Sequence, residues 1–256
     1  MILSYYPKLR GTYVEKEMDR QLEYTLRNVD AMACITKIEE KNLISQYPFL
    51  DGKTVPVING ISDLTQEQLT ETFNIRSEQT KKKYRFISVG SMNGRKGHLE
   101  VLEALHQTKP EILKDIQVIF VGDGQEKSKL MSLVEKYNLT DYVFFVGSVP
   151  NNDVYKYQAQ SNISILISKL EGLPLALLEG LRSGTALVST KVSGIPEVVH
   201  DGENGVLINY SQQEFNNLDK YDWDSMGKVS RKMFENYYNF PRMREDYIRM
   251  LQKTHG

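Results

Sequence analysis

The sequence predicts an α/β fold: a parallel sheet with helices on both faces, plus a partial second α/β lobe. Two observations carry this. From residue 84 onward, short runs rich in Val, Ile and Phe recur without polar alternation, as strands covered on both sides do. Between them lie segments with helical apolar spacing, and strands alternating with helices of that length imply parallel crossovers.

The strands are expected at 84–90 (YRFISVG), 116–122 (IQVIFVG), 142–147 (YVFFVG), 163–168 (ISILIS), 186–190 (ALVST) and 205–208 (GVLI). Val101, Leu102 and Leu105 mark one intervening helix; Leu130, Leu133, Val134 and Tyr137 mark another. Two helices close the chain, lined by Met226, Val229, Met233 and Tyr237 and by Met243, Tyr247, Met250 and Leu251; Pro241 suits the first turn of the last. Residues 1–60 give less: a helix near 15–28, a strand at 31–36, a helix near 37–46 and a strand at 54–58, too few for two covered faces. The polar segment 62–83 reads as a linker. One complete Rossmann-like domain thus follows what looks like the tail of another.

The chain has 256 residues, a net charge of -1 and 40% apolar residues, the profile of a globular protein without an electrostatic footprint for nucleic acid. The run Lys81-Lys82-Lys83 with Arg85 is a solvated loop before a strand, and Tyr5-Tyr6 with Lys8 and Arg10 a frayed remnant rather than a membrane patch. Cys34 is the single cysteine, which suits a reducing compartment. Without a signal-like or membrane-spanning stretch, the expected location is the cytoplasm, or the inner face of its membrane peripherally.

In open parallel sheets, ligands bind outside the carboxyl ends of the strands. Three of those ends stand out. VGSMNGRKGH (89–98) places Gly90, Ser91, Arg95 and Lys96 in a glycine-rich turn before a helix, either a diphosphate cradle or simply a turn. VGDGQEK (121–127) has Lys127 where a dinucleotide fingerprint has its third glycine, so it reads as a tight turn bordering the site. SKLEGLPLALLEGLRSGT (168–185) sets Glu171 in a turn and Glu179 in the second turn of a helix starting at Pro174 and stopped by Gly184. The apolar residues between hold that helix in place. The two carboxylates are then either fixed points along one groove, or a helix-dipole partner and a solvated side chain.

E-GLPLALL-E, followed by GLRSGTALVST and SGIPEVVHDGENGVLI (193–208), resembles the donor half of the group 1 glycosyltransferases, glycosyltransferase family 4. The resemblance covers 84–254 well and 30–60 more loosely. It implies the GT-B fold, in which two Rossmann-like domains face each other and the C-terminal one holds a nucleotide sugar. On that pattern, 1–62 are a remnant of the N-terminal acceptor domain, 63–83 a linker, 84–240 the nucleotide-sugar-binding domain, and 241–256 a helix returning towards the N-terminal lobe.

The roles follow residue by residue. Glu171 would face the donor sugar near its reacting carbon, and Glu179 would accept from the ribose hydroxyls. Backbone amides around Gly172, Leu173 and Leu175 would bind phosphate, and Lys96 with Arg95 would neutralise the leaving diphosphate. Val149, in the turn 148–150, would lie near the nucleobase. The family's reaction retains anomeric configuration, needs no essential metal or other cofactor, and uses the leaving phosphate as base. Its partners would be a nucleotide-sugar donor and a carbohydrate or lipid-linked acceptor in polysaccharide or glycolipid assembly.

Two departures stand out. Ser91 occupies the position where the family usually has Arg, and the first part of the N-terminal domain is missing, with none of His98, His106, His200 or His255 in the missing region. The chain would then be a truncated product, an excised domain, or one half of a split enzyme whose partner chain supplies the rest. The rival readings are a catalytically incomplete nucleotide-sugar-binding domain acting with a partner, and another GT-B enzyme such as a sugar-nucleotide epimerase, which the glutamate spacing disfavours. No pattern suggests a metal site; DWD at 222–224 reads as an N-cap at Asp222.

Overall fold

The computed structural model describes residues 13–77, 82–209 and 215–254. Tyr5, Tyr6, Lys8, Arg10, Lys81 and His255 lie outside them. The chain divides into two units, 1–57 with 245–256, and 58–244.

The second unit holds six parallel strands: β3 (Tyr84–Val89), β4 (Ile116–Val121), β5 (Val143–Gly147), β6 (Ile163–Leu166), β7 (Ala186–Thr190) and β8 (Gly205–Ile208). Their order is β5-β4-β3-β6-β7-β8. Counting from β3, that is third, second, first, fourth, fifth, sixth, the order of doubly wound dinucleotide-binding sheets. The order reverses between β3 and β6, the switch point at whose carboxyl rim doubly wound sheets take their ligands.

Both faces are covered, which is why these strands lack polar alternation. Neighbours Phe86 and Ile87 on β3 point opposite ways and are each 1% exposed. Phe86 joins Phe120, Leu102, Leu105 and Ile163 in the main core; Ile87 joins Ile119 and Val121 in a smaller one. The helices packed between strands are α4 (His98–His106), α5 (Pro110–Leu113), α6 (Lys127–Lys136), α7 (Val154–Ala159), α8 (Leu175–Arg182) and α9 (Ile195–Val198). Then come α10 (Trp223–Met233) and α11 (Phe240–Thr254). Asp222 caps α10, accepting from the Ser225 amide at 3.0 Å.

Three expectations are corrected. The segment read as a linker carries a helix, α3 (Gln66–Ser77), with Thr72 buried and Phe73 exposed. Apolar periodicity cannot reveal a helix whose buried residue is polar and whose phenylalanine faces out. The apolar stripe of α10 ends at Met233, because Phe234–Tyr238 form a π-turn. Its extra residue rotates the register, burying Tyr238 and leaving Tyr237 exposed. On α11, Tyr247 and Leu251 are exposed.

In the first unit, α1 (Tyr13–Arg27), β1 (Met32–Cys34), α2 (Lys37–Gln46) and β2 (Thr54–Pro56) form a two-stranded parallel lobe. Residues 245–254 of α11 group with it. Two strands cannot enclose a large core, and the covered residues are few, among them Leu26, Cys34 and Leu50. No described helix is long and apolar enough to cross a membrane.

Candidate functional site

The loop after β3 is tied down on both sides. Gly90 and Met92 donate their amides to the carbonyls of Val121 and Asp123, each at 2.9 Å. On the other side, the Lys169 amide donates to the Arg95 carbonyl at 3.4 Å. Met92 is fully buried, so the loop is anchored by packing as well as by hydrogen bonds. Two glycines make this approach feasible. Gly97 has φ of +76°, and a Cβ there would lie 2.2 Å from the Ile167 carbonyl oxygen. At Gly90 the missing side chain leaves space along the aliphatic stem of Lys96, whose carbons would stand 3.5–3.7 Å from a Cβ.

The loop after β6 is fixed from its neighbour β7. Ser189 Oγ donates to the Leu166 carbonyl and Thr190 Oγ1 to that of Ser168, both at 2.6 Å. The loop leads to Glu171, whose Oε1 accepts from Ser168 Oγ at 2.7 Å and from Lys96 Nζ at 2.6 Å. The lysine from one side of the topological switch point therefore meets the glutamate from the other. Side-chain exposures of 23% for Lys96 and 10% for Glu171 put the pair largely out of solvent rather than on open surface.

Beyond Glu171, Gly172 is exposed, Leu173 and Pro174 are buried, and Leu175 is 54% exposed at the start of α8. Pro174 is the residue before the helix rather than its first, and its carbonyl accepts from the Leu177 and Leu178 amides. The amides of Leu175 and Ala176 remain at the helix end, where an α-helix has no internal acceptor for them. The helix stops as the sequence predicts, with Ser183 at its end and Gly184 at φ +65°.

Glu179 is half-buried in the second turn of α8, and burial raises its carboxyl pKa despite the opposing pull of Arg182. The structure does not join it to the Lys96–Glu171 pair. Ser91 and Arg95 are exposed on the β3 loop. Val149 follows the edge strand β5, two strands from β3, and packs with Ile87, Ile119 and Val121 beside a cavity of about 370 Å³. At the β4 end, Lys127 Nζ pairs with Asp123 at 2.8 Å where α6 begins.

Two contributors carry no signal in the sequence. Ser168, which helps hold Glu171, looks like any polar residue closing an apolar strand. His98 opens α4 two residues after Lys96, 2% exposed and edge-on to Phe120 at 5.0 Å. Burial lowers its pKa to about 4, so it is a neutral packing element near neutrality.

The switch point, where here a cation and a carboxylate from opposite loops meet, is where a doubly wound sheet takes a ligand. The family model for glycosyl transferases group 1 matches residues 70–218. The chain belongs to this family. It is 27% identical over 261 residues to the uncharacterized glycosyltransferase MJ1069 of Methanocaldococcus jannaschii, covering 88% of this chain and 66% of that one. It is 34% identical over 108 residues to the N-acetyl-alpha-D-glucosaminyl L-malate synthase of Bacillus anthracis, covering 42% of this chain and 27% of that enzyme. Among solved structures, sucrose-phosphate synthase from Thermosynechococcus elongatus superposes with a TM-score of 0.74 at 19% identity, over 90% of this chain and 59% of that one. Anabaena HepE in complex with UDP gives 0.72 at 17% identity, over 88% and 64%. These structures establish the GT-B type of fold. This group 1 glycosyltransferase chain spans roughly a quarter to two thirds of the length of those two curated relatives.

Proposed function

We propose that this chain carries the donor-binding half of a retaining glycosyltransferase, which moves a sugar from a nucleotide-sugar to a polysaccharide or glycolipid acceptor. The observation that carries the reading is the 2.6 Å Lys96–Glu171 pair at the switch point. An ammonium has three N–H donors, and Glu171 takes one. The other two are free to bind the oxygens of a diphosphate lying across the β3 loop. Glu171, held by Ser168 as well, then stands beside the sugar attached to that diphosphate.

In the proposed reaction the bond from the anomeric carbon to the diphosphate oxygen breaks as the acceptor oxygen bonds that carbon from the same face. The acceptor proton passes to the departing phosphate. Charge accumulates on the diphosphate, so fixed donors at Lys96, Arg95 and the amides around Gly172, Leu173 and Leu175 supply most of the rate gain. Gly90 and Ser91 shape the phosphate side of the crevice, Val149 borders the base, and Glu179 accepts from the ribose. Its raised pKa fits a carboxylate kept short of water until a ligand hydroxyl arrives.

Calorimetric titration with UDP, GDP and ADP tests this. HepE, crystallised with UDP, makes UDP the first to try. One nucleotide should bind, and Lys96→Ala should weaken it at least about tenfold. If none of the three binds the folded chain, the proposal fails. Binding without donor hydrolysis or transfer would instead select the rival reading, a binding domain that needs a partner.

A further inference from the structure

The opposite rim of the sheet carries a second concentration of charge. A groove of about 750 Å³ is walled by α3, the starts of β3 and β6, the end of α8, and α10. Arg76, Arg85, Arg182, Lys228, Arg231 and Lys232 line it, against the carboxylates of Asp224 and Glu235. In a chain of net charge -1, such an excess is local and built.

Arg231 is fully engaged. It donates to both Asp63 oxygens at 2.6 and 2.7 Å, to Glu235 at 2.8 Å, and to the Arg182 carbonyl at 2.8 Å. Arg76, Arg85 and Arg182 differ. Their guanidiniums donate to main-chain carbonyls: Arg76 to Ser183, Arg85 to Gln160 at 3.1 Å and Lys82 at 2.6 Å, Arg182 to Ser62 at 3.2 Å. Among the described residues none of the three forms an ion pair with a carboxylate. A guanidinium has five N–H donors, so each keeps several in hand.

Two further groups on the groove wall lack a hydrogen-bond partner among the described residues. Thr72 Oγ1 belongs to a side chain only 7% exposed, and Arg182 Nε is also buried. Burial lowers the pKa of Arg76, and the like charge of Arg85 lowers it further. Burial also lowers that of Arg182. Asp224 offsets part of the charge on Arg76 and Arg85, and Glu179 and Asp63 part of that on Arg182, without an ion pair to any of the three among the described residues.

We propose that this groove binds a phosphoryl group, gripped by the Arg76, Arg85 and Arg182 guanidiniums with the Thr72 hydroxyl as a further donor. A phosphate near neutral pH carries up to two charges and three acceptor oxygens, and guanidinium forks match it in geometry. The site is separate from the donor crevice: Arg85 lies at the start of β3, and Lys96 follows its end. α8 links the two. Its last residues supply carbonyls to the groove wall, and its first residues continue directly from Glu171. Eight residues of helix span about 12 Å between the two ends.

The test is titration of the full chain with inorganic phosphate and pyrophosphate, alongside sedimentation with phosphatidylcholine vesicles with and without phosphatidic acid. Saturable binding that survives Lys96→Ala but falls at least about tenfold in the Arg76→Gln/Arg85→Gln double variant is the expected result. Arg76→Lys/Arg85→Lys, which keeps the charge, should retain part of the affinity, and thermal melting checks that each variant is folded. Recovery with phosphatidic acid vesicles, lost in the double Gln variant, would identify a lipid headgroup; binding of the free ions alone would identify a soluble phosphate. Equal binding by the wild type and the folded double Gln variant, or no saturable binding of any probe, would overturn the proposal.

Discussion

At the carboxyl rim of the sheet, the lysine of the β3 loop finds a carboxylate at 2.6 Å; at the amino rim, three arginines find only carbonyl oxygens. Both rims concentrate cations, yet at the amino rim, among the described residues, Arg231 alone of the four arginines pairs with carboxylates. The paired rim is built on glycine-bearing loops that could be shaped around a ligand without disturbing the strands. The other is built on strand starts and helix ends, where arginines also satisfy main-chain acceptors. A cation that completes a helix end has a structural task, and its remaining donors are a by-product open to use. The lysine of the β3 loop does no comparable work for the fold.

Lys96→Ala should expose that difference most strongly. Turnover in a transfer or donor-hydrolysis assay should fall by about 10²–10³, the usual effect of removing one preorganised donor. The melting temperature should also fall, since the variant leaves a mostly buried carboxylate without its cation, so turnover is compared well below both melting midpoints. A large stability loss with unchanged turnover would mean that the two rims are alike.

Gly97→Ala strikes the geometry that lets the two loops meet. It forces a side chain into φ +76° and against the Ile167 carbonyl. A loss of more than about 2 kcal/mol, seen as a melting temperature lower by about 5 °C or more, is expected. A neutral outcome would show that the loops are looser than the 2.2 Å approach implies.

Glu179→Gln should separate binding from stability. A carboxyl whose folded pKa is raised favours the fold fully only below its unfolded value of 4.5, and that contribution is lost as pH rises through the folded value. Removing the charge should therefore raise the melting temperature at pH 7 by about 2 °C while weakening nucleotide binding. Tighter nucleotide binding in the variant would contradict the ribose role.

His98→Asn has the smallest expected effect. Its depressed pKa gives a contribution present above 6.5 and lost as pH falls towards about 4. The wild type should thus lose stability more steeply than the variant across that window in melts at stepped pH. Parallel curves would mean that His98 is solvated.

The strands were legible because burial on both faces leaves an unbroken apolar run, as at residues 116–121. Glu171 and Lys96 were legible because ligand sites in such sheets follow strand ends, which can be counted along the chain. What stayed hidden has a physical reason in each case. Helix α3 buries Thr72 and exposes Phe73, so its sequence advertises no face. The π-turn after Met233 shifts the register by a residue that no periodicity records. Arg76, Arg85 and Arg182 are separated by up to 106 positions (182 − 76), and only the sheet order brings them round one groove.

Because Glu171 pairs with Lys96, the two charges offset each other where the loops meet. A visitor gains most if it brings phosphate for the ammonium and hydroxyls for the carboxylate at once. Free phosphate offers the first and plain sugar the second; a glycosyl diphosphate offers both. On the proposed reading, the latch between two loops would be a filter, admitting cargo by the company its groups keep.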